Sequence, residues 1–201
     1  MKLSDTLNLK GEISITATNE KGEVRTHSQP NLITSEGLAF FASKIFDKNA
    51  KTFSVVGDTV VENSDTVNYY IADITQGTDT TAATKEDTYY TTEPRGTKIR
   101  KTVSSSYINE EDSSFYYQCQ FRAIAEDTLT ESDGSAIPIN EVLLIAKSDY
   151  IPGLVDADTV YDSPIGSIAN PKRLVARTVL TQPFTKYVTD RVVITWKIKL
   201  G

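Results

Sequence analysis

The stretch Arg191 to Leu200, RVVITWKIKL, alternates without a break. Val192, Ile194, Trp196, Ile198 and Leu200 fall on one side of an extended chain, and Val193, Thr195, Lys197 and Lys199 on the other, which predicts a half-buried strand. The same period appears near the start in GEISITATNEKGEVRTH. There Ile13, Ile15 and Ala17 alternate with polar neighbours, Asn19-Glu20-Lys21-Gly22 supplies turn chemistry and Val24 resumes the extended pattern, predicting a hairpin. The period then changes in NLITSEGLAFFASKIF. Leu38, Phe41, Ala42 and Ile45 fall at i, i+3, i+4 and i+7, with Thr34 or Ser35 placed as N-cap and Glu36 in the first turn; this predicts one short helix near residues 35-46. Its apolar stripe is expected to cover one end or edge of the sheets and hide unpaired strand edges.

From Lys51 to Asn68 the pattern is weak. It admits a strand at Thr52 to Val56 and a turn at Gly57-Asp58 and decides neither. NYYIADIT reads as a buried strand, and QGTDTTAATKEDTYYTTEPRG, rich in Thr, Asp, Gly and Pro, as a long surface loop. TKIRKTVSSSY alternates loosely. SFYYQCQFRAIAE alternates well, with Phe115, Tyr117, Cys119, Phe121 and Ala123 inward, and the two strands joined by INEED make a second hairpin. After the turn ESDGSAIP, INEVLLIAK is a nearly continuous apolar run, short enough for a strand buried on both faces and so expected at the centre. A second irregular stretch, SDYIPGLVDADTVYDSPIGSIANPK, precedes RLVARTVL and RVVITWKIKL, read as a third hairpin with TQPFTKYVTD between them. Pairing there closes the sheet and sets Trp196 in the core. Seven to nine short strands and one helix predict a mainly β chain: an antiparallel β-sandwich, immunoglobulin-like or jelly-roll, in a single domain spanning residues 1-201 with long surface loops.

Composition agrees with this class. Thr, Ser, Val and Tyr are common and the 201 residues are 39% hydrophobic, enough for a real core. No apolar run approaches the roughly 18 to 20 residues of a membrane helix, so no membrane partner is expected. The start, MKLSDTLNLKGE, lacks the apolar segment of a secretory signal, which favours an intracellular product or one released by lysis. The net charge is -6, from 21 basic and 27 acidic residues spread along the chain. Basic groups gather only in short clusters such as Lys98-Arg100-Lys101 and Lys172-Arg173, so nucleic acid is not an expected partner.

Candidate chemistry is sparse. The one histidine, His27, has no nucleophile motif near it, and the one cysteine, Cys119, sits on the inward side of its strand as a core residue. A zinc site would be short of ligands. The carboxylate clusters Glu110-Glu111-Asp112, Asp127/Glu131/Asp133 and Asp156/Asp158/Asp162 all lie in predicted turns or loops. Solvation is their default reading, against a glycosidase pair or, for DTLTESDGS and DADTVYD, a calcium loop without EF-hand spacing. No catalytic, cofactor-binding or metal site and no cofactor is predicted. Tyr69-Tyr70, Tyr89-Tyr90, Tyr116-Tyr117, Tyr150 and Tyr161 divide between core packing and interface use.

Taken in order, several segments resemble a broad group of tailed-bacteriophage virion structural proteins, the tail-collar, fibre-attachment and baseplate-type components. The matching positions are Asn31 to Thr34 at the helix start, Gly77-Thr78, Asp87-Thr88, Glu93 and Arg95 in the loop, and Ile139 to Leu144 in the apolar strand. Ala176-Arg177-Thr178, Lys186 and Thr195 to Ile198 match the ending. Leu143 stands where that group carries glycine, and its Gly-Thr-Gly loop reads Gly-Thr-Asp here. The resemblance covers most of the chain and implies a non-enzymatic virion component that binds other virion structural proteins and itself as a homo-oligomer. A capsid decoration or head-fibre protein is the alternative within that class. A receptor- or glycan-binding module, with Tyr89, Tyr90, Tyr150 and Tyr161 as candidate groove aromatics, is the alternative outside it.

Overall fold

In the computed structural model, which describes residues 9–46, 51–56, 59–66, 69–92, 98–122, 138–148 and 172–200, the first hairpin forms as its pattern predicts. Strands β1 (Leu9–Thr18) and β2 (Val24–Ile33) pair antiparallel with Ile15 opposite His27. The turn is closed by Asn19, whose Oδ1 accepts the N–H groups of Lys21 (3.0 Å) and Glu23 (2.9 Å). Gly22 has φ 80°, a left-handed conformation that only glycine adopts without strain.

Helix α1 (Ser35–Phe46) begins where the cap was expected. Thr34 Oγ1 accepts the Gly37 N–H at 3.0 Å and donates its own hydrogen to the Leu174 carbonyl, so one hydroxyl both caps the helix and fastens it to the sheet. Phe40 and Phe41 are buried, and Phe41 lies 6.3 Å from the Phe115 ring. Gly37 permits this seat: a Cβ there would come within 1.9 Å of the Val175 carbonyl oxygen.

The weak region 51–68 contains a separate two-stranded hairpin, β3 (Lys51–Val56) with β4 (Thr59–Thr66). The other strands are β5 (Tyr69–Gly77), β6 (Lys98–Thr102), β7 (Ser105–Asn109), β8 (Ser114–Arg122), β9 (Ile139–Ser148), β10 (Lys172–Phe184) and β11 (Arg191–Leu200), and a single helical turn, α2 (Tyr89–Thr92), lies in the loop after β5. Nine strands form one antiparallel sheet in the order β6-β5-β9-β10-β2-β1-β11-β8-β7, curled into a half-barrel. The two sheets expected of a sandwich are thus two flanks of one continuous sheet. Strand β2 joins them: it pairs with β1 from Val24 to Asn31, then gives Leu32 and Ile33 to β10. Pro30, with no N–H for a ladder, stands just before the change of partner.

Two expected pairings are corrected. TKIRKTVSSSY is two strands, and only the second, β7, pairs with β8, Tyr107 opposite Tyr116. Strand β6 crosses to the far end of the sheet and pairs with β5. The joint is Val103-Ser104: the Val103 N–H donates to the Ala72 carbonyl and the Ser104 N–H to the Gln118 carbonyl, each at 2.7 Å, so the curl brings both ends of the sheet to this corner. The third hairpin does not form either. Strand β11 pairs with β1 along its whole length, Leu9 opposite Leu200 and Thr18 opposite Arg191, and with β8 on its other side. Strand β10 pairs with β9 and β2. Burial explains the sorting: Leu174 to Thr178 are all buried, so β10 needs a neighbour covered on both faces, whereas β11 alternates and keeps one face open to water.

The main core lies inside the curl, where Ile13, Ile15, Val192, Ile194, Trp196 and Cys119 of one flank meet Ile74, Val142, Leu144 and Ala176 of the other. Full burial of each large side chain contributes roughly 1.5–3 kcal/mol. Strand β9 is buried on both faces, as its nearly continuous apolar run predicts, but stands third from the β6 end of the sheet rather than at its centre. Its outer-face residues Leu143 and Ile145 are covered by Tyr89 and pack with Leu174.

Candidate functional site

Two strands of the covered flank each carry a charge inside a mostly apolar run: Glu141 in INEVLLIA and Arg177 in LVARTVL. The β9–β10 register sets Arg177 opposite Leu143 and thus on the same outer face as Glu141. The Arg177 Nε donates to Glu141 Oε2 at 3.0 Å, and neither side chain has any exposure. Its two remaining nitrogens reach into the loop after β5. Nη1 donates to Asp87 Oδ2 (2.9 Å) and the Ala82 carbonyl (3.3 Å), and Nη2 to Asp79 Oδ2 (3.0 Å). One guanidinium therefore holds three carboxylates and clasps residues 79 to 87 onto the sheet. Burial works to raise the pKa of Asp87, but the Thr84 N–H and Arg177 outweigh it and hold the carboxyl below its usual value.

A second tie lies beside the first. Glu36 Oε2 accepts the Leu174 N–H at 2.8 Å and the Tyr89 N–H at 3.3 Å, joining α1, β10 and the loop, while the Ser35 N–H donates to the Lys85 carbonyl at 2.8 Å. Burial raises the Glu36 pKa, only partly offset by those two N–H groups and by Arg173. Asn140 Nδ2 also donates to the Thr78 carbonyl at 2.9 Å. The loop expected to lie free on the surface is thus fastened at four points. Of the resemblance positions, Thr34, Thr78, Asp87, Glu141 and Arg177 come together here; Lys186 is buried elsewhere, Trp196 lies in the core, and Glu93 and Arg95 lie outside the described residues. Asp79 and Glu36 were missed, since nothing local separates them from solvated acids.

The Arg177 side chain is fully covered, so this cluster can hold a loop but has no exposed guanidinium to present to a substrate. The other candidates fall as follows. His27 lies on β2 with its Nε2 2.8 Å from Gln29 Oε1. Cys119 is buried, and burial pushes its thiol up to about 12. Asp112 pairs with Lys197 at 2.7 Å, each side chain about 30% exposed. The clusters Asp127/Glu131/Asp133 and Asp156/Asp158/Asp162, both proposed calcium loops, and Tyr150 and Tyr161 lie outside the described residues. Tyr89 is covered rather than presented to a groove: its hydroxyl accepts from Arg100 (2.9 Å) and Lys172 (3.3 Å). Tyr70 and Tyr107 are more than half exposed, and burial raises Tyr117 to about 12.

A cleft of about 450 Å³ opens where the two sheet ends meet, lined by Tyr70, Asp73, Thr102, Ser104, Ser105 and Lys147. Asp73 is paired with Lys147 at 2.7 Å and with Arg100 at 3.4 Å. Among the described residues no three His, Cys, Asp or Glu side chains are placed to hold a metal ion, and no helix is long and apolar enough to cross a membrane. No family model, no curated protein and no solved structure matches the chain.

Proposed function

We propose that this chain is a non-enzymatic structural component of a tailed-phage virion, of the tail, collar or baseplate, which assembles through protein–protein contacts. One observation carries the reading. The resemblance positions Thr78, Asp87, Glu141 and Arg177 converge on a clasp whose physical effect is to make a long loop rigid, and Thr34 seats the helix on the strand beside it. A rigid loop on a rigid sheet suits a part that meets symmetric neighbours by area, on the order of 1,200 to 2,000 Å² or more per contact. In this reading the two flanks of the curled sheet act as the layers of a sandwich, and the working partners are other virion proteins and further copies of the chain. Neither nucleic acid nor a membrane is a partner, and the site of action is the virion.

The test is mass spectrometry and labelled electron microscopy of purified particles from a phage that encodes the chain. Stoichiometric presence at the tail, collar or baseplate is expected; absence from the particle overturns the proposal, and a capsid location moves it to a decoration or head-fibre protein. A receptor- or glycan-binding module is the second reading, favoured by the cleft beside exposed Tyr70. Glycan-array binding by the isolated protein that is lost in Tyr70→Ala would bring it forward.

A further inference from the structure

The two ends of the sheet differ in how they meet solvent. Strand β6 carries Lys98, Arg100 and Lys101, the charged residues that keep an open edge from pairing with another chain. Strand β7, Ser105-Ser-Tyr-Ile-Asn109, carries no charge, no proline and no break in its register with β8, and among the described residues its outer side has no partner strand. Tyr107 and Ile108 project from its opposite faces at 54% and 62% exposure. An edge of this kind is a template for strand addition.

We infer that β7 is a self-association edge, on which β7 of a second copy adds antiparallel about a twofold axis at Tyr107. The register then sets Ser105 opposite Asn109, Ser106 opposite Ile108, and Tyr107 opposite its own counterpart. Three features favour a second copy. The Tyr107 ring already stacks on Tyr116 at 4.6 Å and 6°, so the twofold extends that pair into a ladder of four rings across both β7–β8 hairpins. On the other face each Ile108 meets the small Ser106 of the other copy, with the two isoleucines as diagonal neighbours. Finally, the acidic turn Glu110-Glu111-Asp112 follows β7 and the basic β6 precedes it. Antiparallel addition brings the acidic turn of one copy toward the basic strand of the other, a charge match that a twofold makes twice.

Five residues span only about 17 Å, well short of a permanent interface, so the dimer is weak and depends on concentration. The inference names one contact within the assembly reading above, and its test needs no particle. Sedimentation equilibrium of the full chain from ~10 µM to ~1 mM is expected to show reversible monomer–dimer exchange. Ile108→Lys should weaken it roughly tenfold or more by placing a charge on the edge, Tyr107→Lys likewise, while Val24→Lys, at an equally exposed apolar position remote from β7 (61%), should leave it unchanged. Circular dichroism of each variant checks that the sheet is retained. A monomer throughout that range, or equal weakening by Val24→Lys, overturns the inference. So does hydrogen-exchange protection of β7 appearing only with a different protein, which would give the edge to a foreign strand. A β7 dimer of a chain absent from particles would sink the virion reading and leave this one standing.

Discussion

The two flanks of the curled sheet bury their strands by different chemistry. On the β1–β11–β8 side, alternation decides everything: Val192, Ile194, Trp196 and Ile198 face inward, and Lys197 meets Asp112 at the wet surface. On the β5–β9–β10 side both faces are covered, the inner by the core and the outer by the loop after β5, and ion pairs are taken inside with the strands. A face can be covered by a loop only if that loop is held there, and Arg177 is the principal fastening. The difference teaches where a single substitution should matter most: charges are decisive on the covered flank and close to neutral on the outer face of β11.

The largest expected effect follows directly. Arg177→Met fills a similar volume but takes the guanidinium away from Asp79, Asp87 and Glu141, two of them nearly fully buried. Breaking one side of a buried pair typically destabilises by roughly 3–5 kcal/mol. Urea unfolding should show a loss of that size, with faster hydrogen exchange across residues 79 to 92. Adding Glu141→Gln to the Met variant should restore part of the loss, since it removes the most deeply buried of the three charges that Arg177 holds. A loss under about 1 kcal/mol would make the clasp no more important than a surface pair and erase the contrast between the flanks.

Next in size is the helix seat. Gly37→Ala places a methyl 1.9 Å from the Val175 carbonyl oxygen, which is backbone and cannot swing aside. Overpacking of this sort costs about 1–3 kcal/mol, and a neutral result by thermal or urea unfolding would mean that α1 rests on β10 less tightly than its contacts require.

These sites also show what a sequence can disclose. The strands β1, β5, β8, β9 and β11, the helix and its cap at Thr34 or Ser35 were legible because periodicity and capping are local. The partners of β10 and β11 were not. A strand of alternating residues fits beside any strand of matching pattern, and the deciding fact, that Leu174 to Thr178 need cover on both faces, depends on a loop nearly a hundred residues away. Thr97 to Tyr107 read as one strand because alternation carries no sign of a change of edge at Val103-Ser104. Within the clasp, Glu141 and Arg177 entered only as positions of the resemblance, although each stands as a charge inside an apolar run. Asp79, in contrast, looks like any loop aspartate, and only the fold brings it to Nη2. Tyr89 was left between core packing and interface use for the same reason, a loop tyrosine being indistinguishable from a covered one until the surface beneath it is known.

Titration sets the two ties of the covered flank against each other. Asp87 has a folded pKa below its ordinary 3.8, so as pH falls the unfolded chain takes its proton first and stability drops. Glu36 is raised above 4.5, so the folded chain takes the proton first and stability rises as pH falls through the window just above 4.5. Urea midpoints measured from about pH 3 to about pH 7 should therefore show wild type losing its advantage over Asp87→Asn below 3.8. Glu36→Gln should flatten the curve above 4.5. The reverse order of these two effects would contradict the pairing with Arg177 that distinguishes Asp87 from Glu36.

The smallest effect is expected on the open flank. Asp112 and Lys197 stand 2.7 Å apart, a distance as short as any in the clasp, and the lysine also lies over the Tyr116 ring at 5.4 Å. Distance alone would rank this pair beside Arg177. Solvent reverses the ranking: with both groups wet, the attraction is screened by water and salt, and the freedom lost in holding two side chains offsets what remains. The pairing holds Asp112 below its ordinary pKa and Lys197 above its own, yet each side chain keeps about 30% of its surface in water. Lys197→Met should thus leave the urea midpoint within error at physiological salt, with any difference confined to low ionic strength. A loss comparable to that of Arg177→Met would show that the β11 outer face is covered after all, and the distinction between the flanks would have to be abandoned.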